Sequence, residues 1–130
     1  MLVIFSLLSL ISCGNSNEEL STFNELILIL KENEIYCHTS TADEIDEDNK
    51  NMADLNLSCK ITNKFSAMQS FSVLINGTEF ETPEQAEEYH YFFETVIAKN
   101  PYNQAEECIV IDNCVILGSS SLIDIIRDYE

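Results

Sequence analysis

The residues able to do chemistry in this 130-residue chain are five cysteines, two histidines and 23 acidic side chains. A zinc site needs ligands that converge, and Cys37, His38, Cys59 and a carboxylate are the set on offer. Cys37 and His38 are adjacent in a strand-like stretch, so their side chains point to opposite faces and cannot easily share an ion. His38 therefore reads as a surface strand residue. His90, between Tyr89 and Tyr91, reads as a ring at the margin of a buried helix face. A Cys–His or Ser–His nucleophile needs one of these rings beside an activated partner, and no nucleophile elbow is present. The acids Asp43, Glu44, Asp46, Glu47 and Asp48 suggest calcium. A loop counted from Glu44 puts Asn49 where Gly is required and Leu55 where the bidentate Glu belongs, so the EF-hand pattern fails. The three glycines are isolated, which excludes a phosphate-cradling loop. Carboxylate pairs arise by chance among so many acids and do not by themselves indicate a hydrolase. The thiols lack a CxxC pair, a nearby base and a helix N-terminus, so nothing lowers their pKa for redox work. The expectation is a protein with no cofactor, no metal and no enzymatic activity.

Charge narrows the partners. The net charge is −17, with six basic residues in the whole chain. DNA, RNA and anionic lipid surfaces need Lys and Arg to neutralise phosphates, and are disfavoured. A field of this sign draws in cations instead. Asp43, Glu44, Asp46, Glu47 and Asp48 are accordingly the candidate interface, and a basic protein the expected partner; no small-molecule substrate is evident. A hydrophobic fraction of 45% is that of an ordinary globular protein, so the charge does not imply disorder. The length allows one domain with one modest core.

Residues 2–11 (LVIFSLLSLI) are an uncharged apolar run, too short to span a bilayer as a helix and of the size of a signal-peptide core. The segment Leu10-Ile11-Ser12-Cys13 that closes it resembles the lipobox of bacterial lipoproteins. The resemblance covers the leader alone. It implies a signal peptide over 1–12, cleavage before Cys13 and a diacylglycerol on the Cys13 sulfur. It further implies an anchor in the cell envelope, with the outer membrane facing the periplasm favoured because Gly14 is not the Asp of inner-membrane retention. Without the resemblance, the run reads as a buried segment and Cys13 as an ordinary thiol. Residues 14–19 then form a polar tether of at most ~20 Å. With Cys13 lipidated, an even set remains, and Cys37, Cys59, Cys108 and Cys114 are expected to form two disulfides in an oxidising compartment. Three pairings are open. Local pairing of Cys37 with Cys59 and of Cys108 with Cys114 is favoured, although a tight turn at Asp112-Asn113 sets Ile111 against Cys114 and turns Cys108 away.

The elements that must position these residues follow from periodicity. Thr22-Phe23-Asn24-Glu25 has the form of a capping box, and Phe23, Leu26, Ile27 and Leu30 recur at helical spacing, which predicts a helix over 20–33. A strand near 35–39 follows. The acidic stretch 42–51 has no period and is expected as a solvated loop. Leu55, Leu57, Cys59 and Ile61 alternate with polar residues, which predicts a strand with Cys59 inward. Asn76-Gly77 predicts a hairpin turn with Val73 opposite Phe80. Thr82-Pro83-Glu84-Gln85 starts a helix that buries Ala86, Tyr89, Phe93 and Val96 and stops near Asn100-Pro101. Residues 109–117 form either a hairpin at Asp112-Asn113 or one kinked strand. Ser120 or Ser121 caps a last helix with Leu122, Ile125, Ile126 and Tyr129 inward.

The sum is a single α+β domain over 20–130, a small two-layer sandwich of mostly antiparallel sheet and about three helices, stapled by disulfides. The leading functional expectation is an envelope lipoprotein acting as a non-enzymatic, acidic protein-binding module, in its most concrete form an immunity-type inhibitor of a basic toxin or enzyme. The alternative is a structural or assembly accessory of the envelope, and behind it a carboxylate-dependent hydrolase.

Overall fold

The computed structural model describes residues 21–128. The leader, the lipobox with Cys13, the tether and Tyr129 lie outside the described residues. Four helices, α1 (Thr22–Glu32), α2 (Ala42–Asp54), α3 (Pro83–Thr95) and α4 (Ser120–Arg127), surround five strands. The strands are β1 (Tyr36–Thr39), β2 (Ile61–Ser70), β3 (Val73–Phe80), β4 (Glu107–Ile111) and β5 (Cys114–Gly118). They form one sheet in the order β1-β2-β3-β5-β4, antiparallel at every pairing. This is an α+β fold.

Each face of the sheet builds its own core. On one face Phe23, Leu26 and Leu30 of α1 and Leu122, Ile123 and Ile126 of α4 meet Phe65, Ile75 and Ile116. Each of these large side chains contributes about 2 kcal/mol by leaving water. On the other face Ala86 and Tyr89 of α3 and Ile45 and Met52 of α2 meet Ile61, Phe80 and Val115. Helices thus cover both sides of the sheet, α1 and α4 on one and α2 and α3 on the other.

Helix starts follow their caps. Ser21, one residue before the expected capping position, accepts from the Asn24 amide, and the Thr22 hydroxyl instead donates to Asp112 at 2.5 Å. Thr82 caps α3 by accepting from the Gln85 amide. That helix ends at Thr95, short of Asn100, and Val96 is left exposed.

The acidic stretch and the Asn76-Gly77 turn are corrected. The acidic stretch is a helix, not a loop: Thr41 and Glu44 close a capping box, the Thr41 amide donating to Glu44 Oε1 at 2.8 Å. The face of α2 is spaced Ile45, Asn49, Met52, and the Asn49 amide group bonds both the N–H and the C=O of Ile61 (2.8 and 3.0 Å). Asn76-Gly77 is not a turn but the middle of β3, and the hairpin turns at Phe71-Ser72. Val73 therefore pairs with Ser70 and Phe80 with Ile61. Gly77 is required for another reason: the Phe65 ring lies over it, and a Cβ there would stand 2.1 Å from Phe65 Cε2.

The strand expected from Leu55 begins at Ile61, while Cys59 is buried as anticipated. A register shift between Ile61 and Asn63 turns β2 over, so Ile61 serves one core while Phe65 and Ala67 serve the other. Of the two readings of 109–117, the hairpin holds, with Asp112 at φ 54 and Ile111 facing Cys114.

Candidate binding surfaces

The five acids singled out from sequence all lie on α2, in different roles. Glu44 is held below the usual carboxylate range, chiefly by the backbone and side-chain hydrogen bonds from Thr41 that close the cap. Asp48 lies 2.6 Å from Lys64 Nζ on β2. Asp43, Asp46 and Glu47 are exposed, with no ion-pair partner among the described residues. On the same side of the sheet α3 presents Glu84, Glu87, Glu88 and Glu94. Glu88 accepts from the Ser58 hydroxyl (2.6 Å) and amide, which holds it low and ties α3 to the segment after α2. The two helices together make one acidic face, of which α3's half was not foreseen.

The cysteines do not meet. All four, Cys37, Cys59, Cys108 and Cys114, are free thiols. Cys37 and Cys114 belong to the α1–α4 core, Cys59 and Cys108 to the α2–α3 core, so each favoured local pair straddles the sheet. Cys37 pairs with Ala67, and Ile61, two residues after Cys59, is about 17 Å further down β2. The same-face pairs are three strands apart in the sheet order, about 14 Å. A disulfide needs Cα atoms within about 7 Å. Where cysteine counting leads to the expectation of two disulfides, the structure holds the four thiols apart in the two cores. Burial pushes Cys59 up to about 11, with Glu88 adding to the rise. Burial likewise pushes Cys108 and Cys114 up to about 12, and raises Cys37. Such thiols hold almost no thiolate at neutral pH and pack as small apolar groups.

The two histidines lie on different elements, His38 on β1 and His90 on α3, where Glu94 Oε2 stands 3.9 Å from His90 Nε2. His38 faces away from Cys37 and is exposed. His90 is half-buried, and since a carbonyl only accepts, its Nε2 donates to the Cys108 oxygen at 3.2 Å. Among the described residues no three His, Cys, Asp or Glu side chains are grouped to hold a metal ion. Two carboxylates, Glu25 and Asp112, share a small cleft of about 160 Å³ beside Thr22, where Asp112 is already engaged by the Thr22 hydroxyl. No helix among the described residues is long and apolar enough to cross a membrane.

A second surface was missed entirely from sequence. At the β2–β3 turn the register places Tyr36, Met68 and Leu74 side by side across three strands, on the face opposite α1. Tyr36 is 67% exposed, Met68 42% and Leu74 39%. Phe71, at the tip, is 96% exposed, and Tyr102 across from it 87%. A groove of about 470 Å³ runs between Leu74, Asn76 and Leu117 on the sheet and the loop Tyr102–Ala105. A shallower depression of about 430 Å³ lies against Tyr36, Met68 and Phe71. No charged side chain lines either one. On a chain of net charge −17, that neutrality sets the surface apart, and exposed aromatic and Met side chains are what protein interfaces concentrate. The signal was present in Val73-Leu74-Ile75: three apolar residues in succession on a strand put one of them on the second face.

By architecture this is an α+β domain with a five-stranded antiparallel sheet between two pairs of helices, bearing on the side opposite α1 both an acidic helix surface and an uncharged stretch of open sheet. Comparison with protein-family models, with curated proteins and with solved structures finds no match.

Proposed function

We propose that the chain is a non-enzymatic protein-binding module of the bacterial cell envelope, anchored by lipid at Cys13, whose acidic face receives a basic protein. An immunity-type inhibitor that covers the cleft of a basic toxin or enzyme is its most concrete form. The observation that carries this reading is the placement of α2 and α3 on one side of the sheet, with Asp43, Asp46, Glu47, Glu84 and Glu87 turned to solvent. A cationic partner approaching that face is accelerated and oriented by the field, and competing anionic surfaces are repelled.

The test is capture of envelope proteins by the acylated chain, followed by affinity measurement on the identified partner across a salt series. Binding that falls at least tenfold between low and physiological salt, and is lost in D43K/D46K/E47K, supports the reading. A partner that survives molar salt unchanged overturns it. The anchor is tested separately by mass spectrometry: an N-terminal acylated Cys13 supports it, an intact Met1 without acyl adduct refutes it.

A second reading, a structural or assembly accessory lipoprotein of the envelope, is favoured by the uncharged groove beside Leu74 and Tyr102. Its mark would be a stoichiometric complex that is insensitive to salt and sensitive to Phe71→Asp.

A further inference from the structure

We infer that the outer edge of β1 is a docking strand for an extended segment of the partner protein. That segment carries uncharged apolar or β-branched side chains along β1 and basic residues where it passes α2. The inference rests on the reading above that the partner is a basic protein, and names how that partner is held.

Three observations converge on β1. The first is that helix side chains occupy part of the other open backbone of the sheet. On the far edge strand β4, the Cys108 carbonyl is occupied by His90 Nε2 at 3.2 Å. On β2, where β1 no longer covers it, the N–H and C=O of Ile61 are both taken by the Asn49 side chain. Helix side chains thus seal these positions. Along Tyr36–Thr39, among the described residues, no side chain bonds to the outer backbone. The strand also has no charged residue, no proline and no bulge in its register with β2. Charge, proline, bulges and covering elements are the usual protections of an edge, and an edge without them is a template for a further strand.

The second observation is the ground beside that edge. Tyr36 heads the row Tyr36–Met68–Leu74, and the depression of about 430 Å³ lies against it. An added strand would lay the side chain beside Tyr36 against this uncharged surface, so that main-chain bonds supply affinity and the depression supplies selectivity.

The third observation is charge. Helix α2 begins three residues after β1 ends and flanks the edge of β2 through Asn49. A segment running along β1 past Thr39 arrives at Asp43, Asp46 and Glu47, which are exposed. Basic residues at that end of the segment complete the match. A second copy of this chain is the poorer occupant, since it brings another body of net charge −17 to the same place.

The experiment is selection of displayed random peptides on the full chain at low salt, followed by hydrogen exchange of the bound complex. The expected result is enrichment of peptides with an alternating apolar core and Lys or Arg at one end, with slowed exchange at the amides of β1. Tyr36→Ala should weaken binding at least tenfold, and D46K/E47K should remove the preference for a basic end while β1 protection persists. No enrichment overturns the inference. So do peptides that slow exchange only on α2 and α3, dimerisation that protects β1, or binding to neutral phosphatidylcholine vesicles in place of peptide. If the envelope partner binds in a salt-sensitive way while β1 exchange is untouched, the inference falls and the acidic-face reading stands. If β1 takes peptides of any charge equally and no basic partner is captured, the acidic-face reading falls with the basic end of the segment.

Discussion

Replacing Gly77 by alanine tests the centre of the sheet and the correction made there. Gly77 is extended, paired with Phe65 on β2 and with Ile116 on β5. An added Cβ would stand 2.1 Å from Cε2 and 2.4 Å from Cζ of Phe65, well inside the ~3.5–4.0 Å of carbon contacts. The ring cannot swing into solvent, because Phe65 is 1% exposed and packs on Phe23 with centroids 5.6 Å apart. Forced overpacking of this kind costs about 1–3 kcal/mol. The stiffer unfolded chain returns about 0.4–1 kcal/mol, since alanine suits an extended backbone. With the clash buried and the neighbour aromatic, the upper part of the range applies, and a net loss of about 2 kcal/mol is expected, or about 10 °C in Tm. Urea and thermal unfolding of Gly77→Ala, Phe65→Leu and the pair make the assay. In the Phe65→Leu background the alanine should cost under about 0.5 kcal/mol, a coupling of roughly 1.5 kcal/mol between the two positions. An equal cost in both backgrounds would refute the reasoning. It is the behaviour of a turn glycine held at positive φ, whose penalty owes nothing to a distant ring.

Asn49→Ala should destabilise by about 2 kcal/mol, because it strands the N–H and C=O of buried Ile61; faster exchange of the Ile61 amide checks it, and an unchanged rate would count against the tie. In denaturant without reductant, Cys37, Cys59, Cys108 and Cys114 should all react with a thiol reagent, and in the native chain half-buried Cys37 and Cys108 should react before Cys59 and Cys114. A pair missing from the denatured count would restore a disulfide. The folded pKa of Glu44 lies below its ordinary 4.5, so its contribution is present above that value and lost as pH falls through the lower folded one. The stability gap between the parent and Glu44→Gln, followed by melting from neutral to about pH 3, should close over that acid range; a gap of constant size would show that the cap does not depend on ionisation.

Local chemistry made much of this fold legible. Thr82 ahead of α3 and Pro83 at its head marked a helix start whose cause lies within four residues of chain, and the cap of α1, read at Thr22, falls one residue earlier at Ser21. The reversal at Asp112-Asn113 was one of two readings for the same reason. What escaped was decided by distant partners. Asn76-Gly77 carries a strong turn signal, but the glycine answers to the Phe65 ring rather than to a reversal of chain. Helix α2 shows only Ile45 and Met52 as apolar anchors, and the residue between them on that face, Asn49, earns its place through a strand edge invisible in the sequence. Thr41 and Glu44 were the overlooked cue, since their spacing spells a capping box. Of the five acids chosen as an interface, Glu44 and Asp48 are engaged within the protein and Asp43, Asp46 and Glu47 remain turned outward. The neutral surface around Tyr36, Phe71 and Tyr102 showed in the sequence only through Leu74, because strand register is what brings the ends of the sheet beside a loop.

The inserted residue near the start of β2 has a consequence for how the molecule comes apart. Ile61 and Phe65 are an even number of residues apart and would share a face on a regular strand, yet they sit in different cores. One continuous strand is thereby stitched into both, as is β5 through Val115 on one side and Ile116 on the other. Melting either core would pull those shared strands out of the second. The two hydrophobic clusters therefore behave as a single cooperative unit, and partial opening is confined to elements that belong to one cluster only, α2 foremost among them, with no fully buried residue of its own.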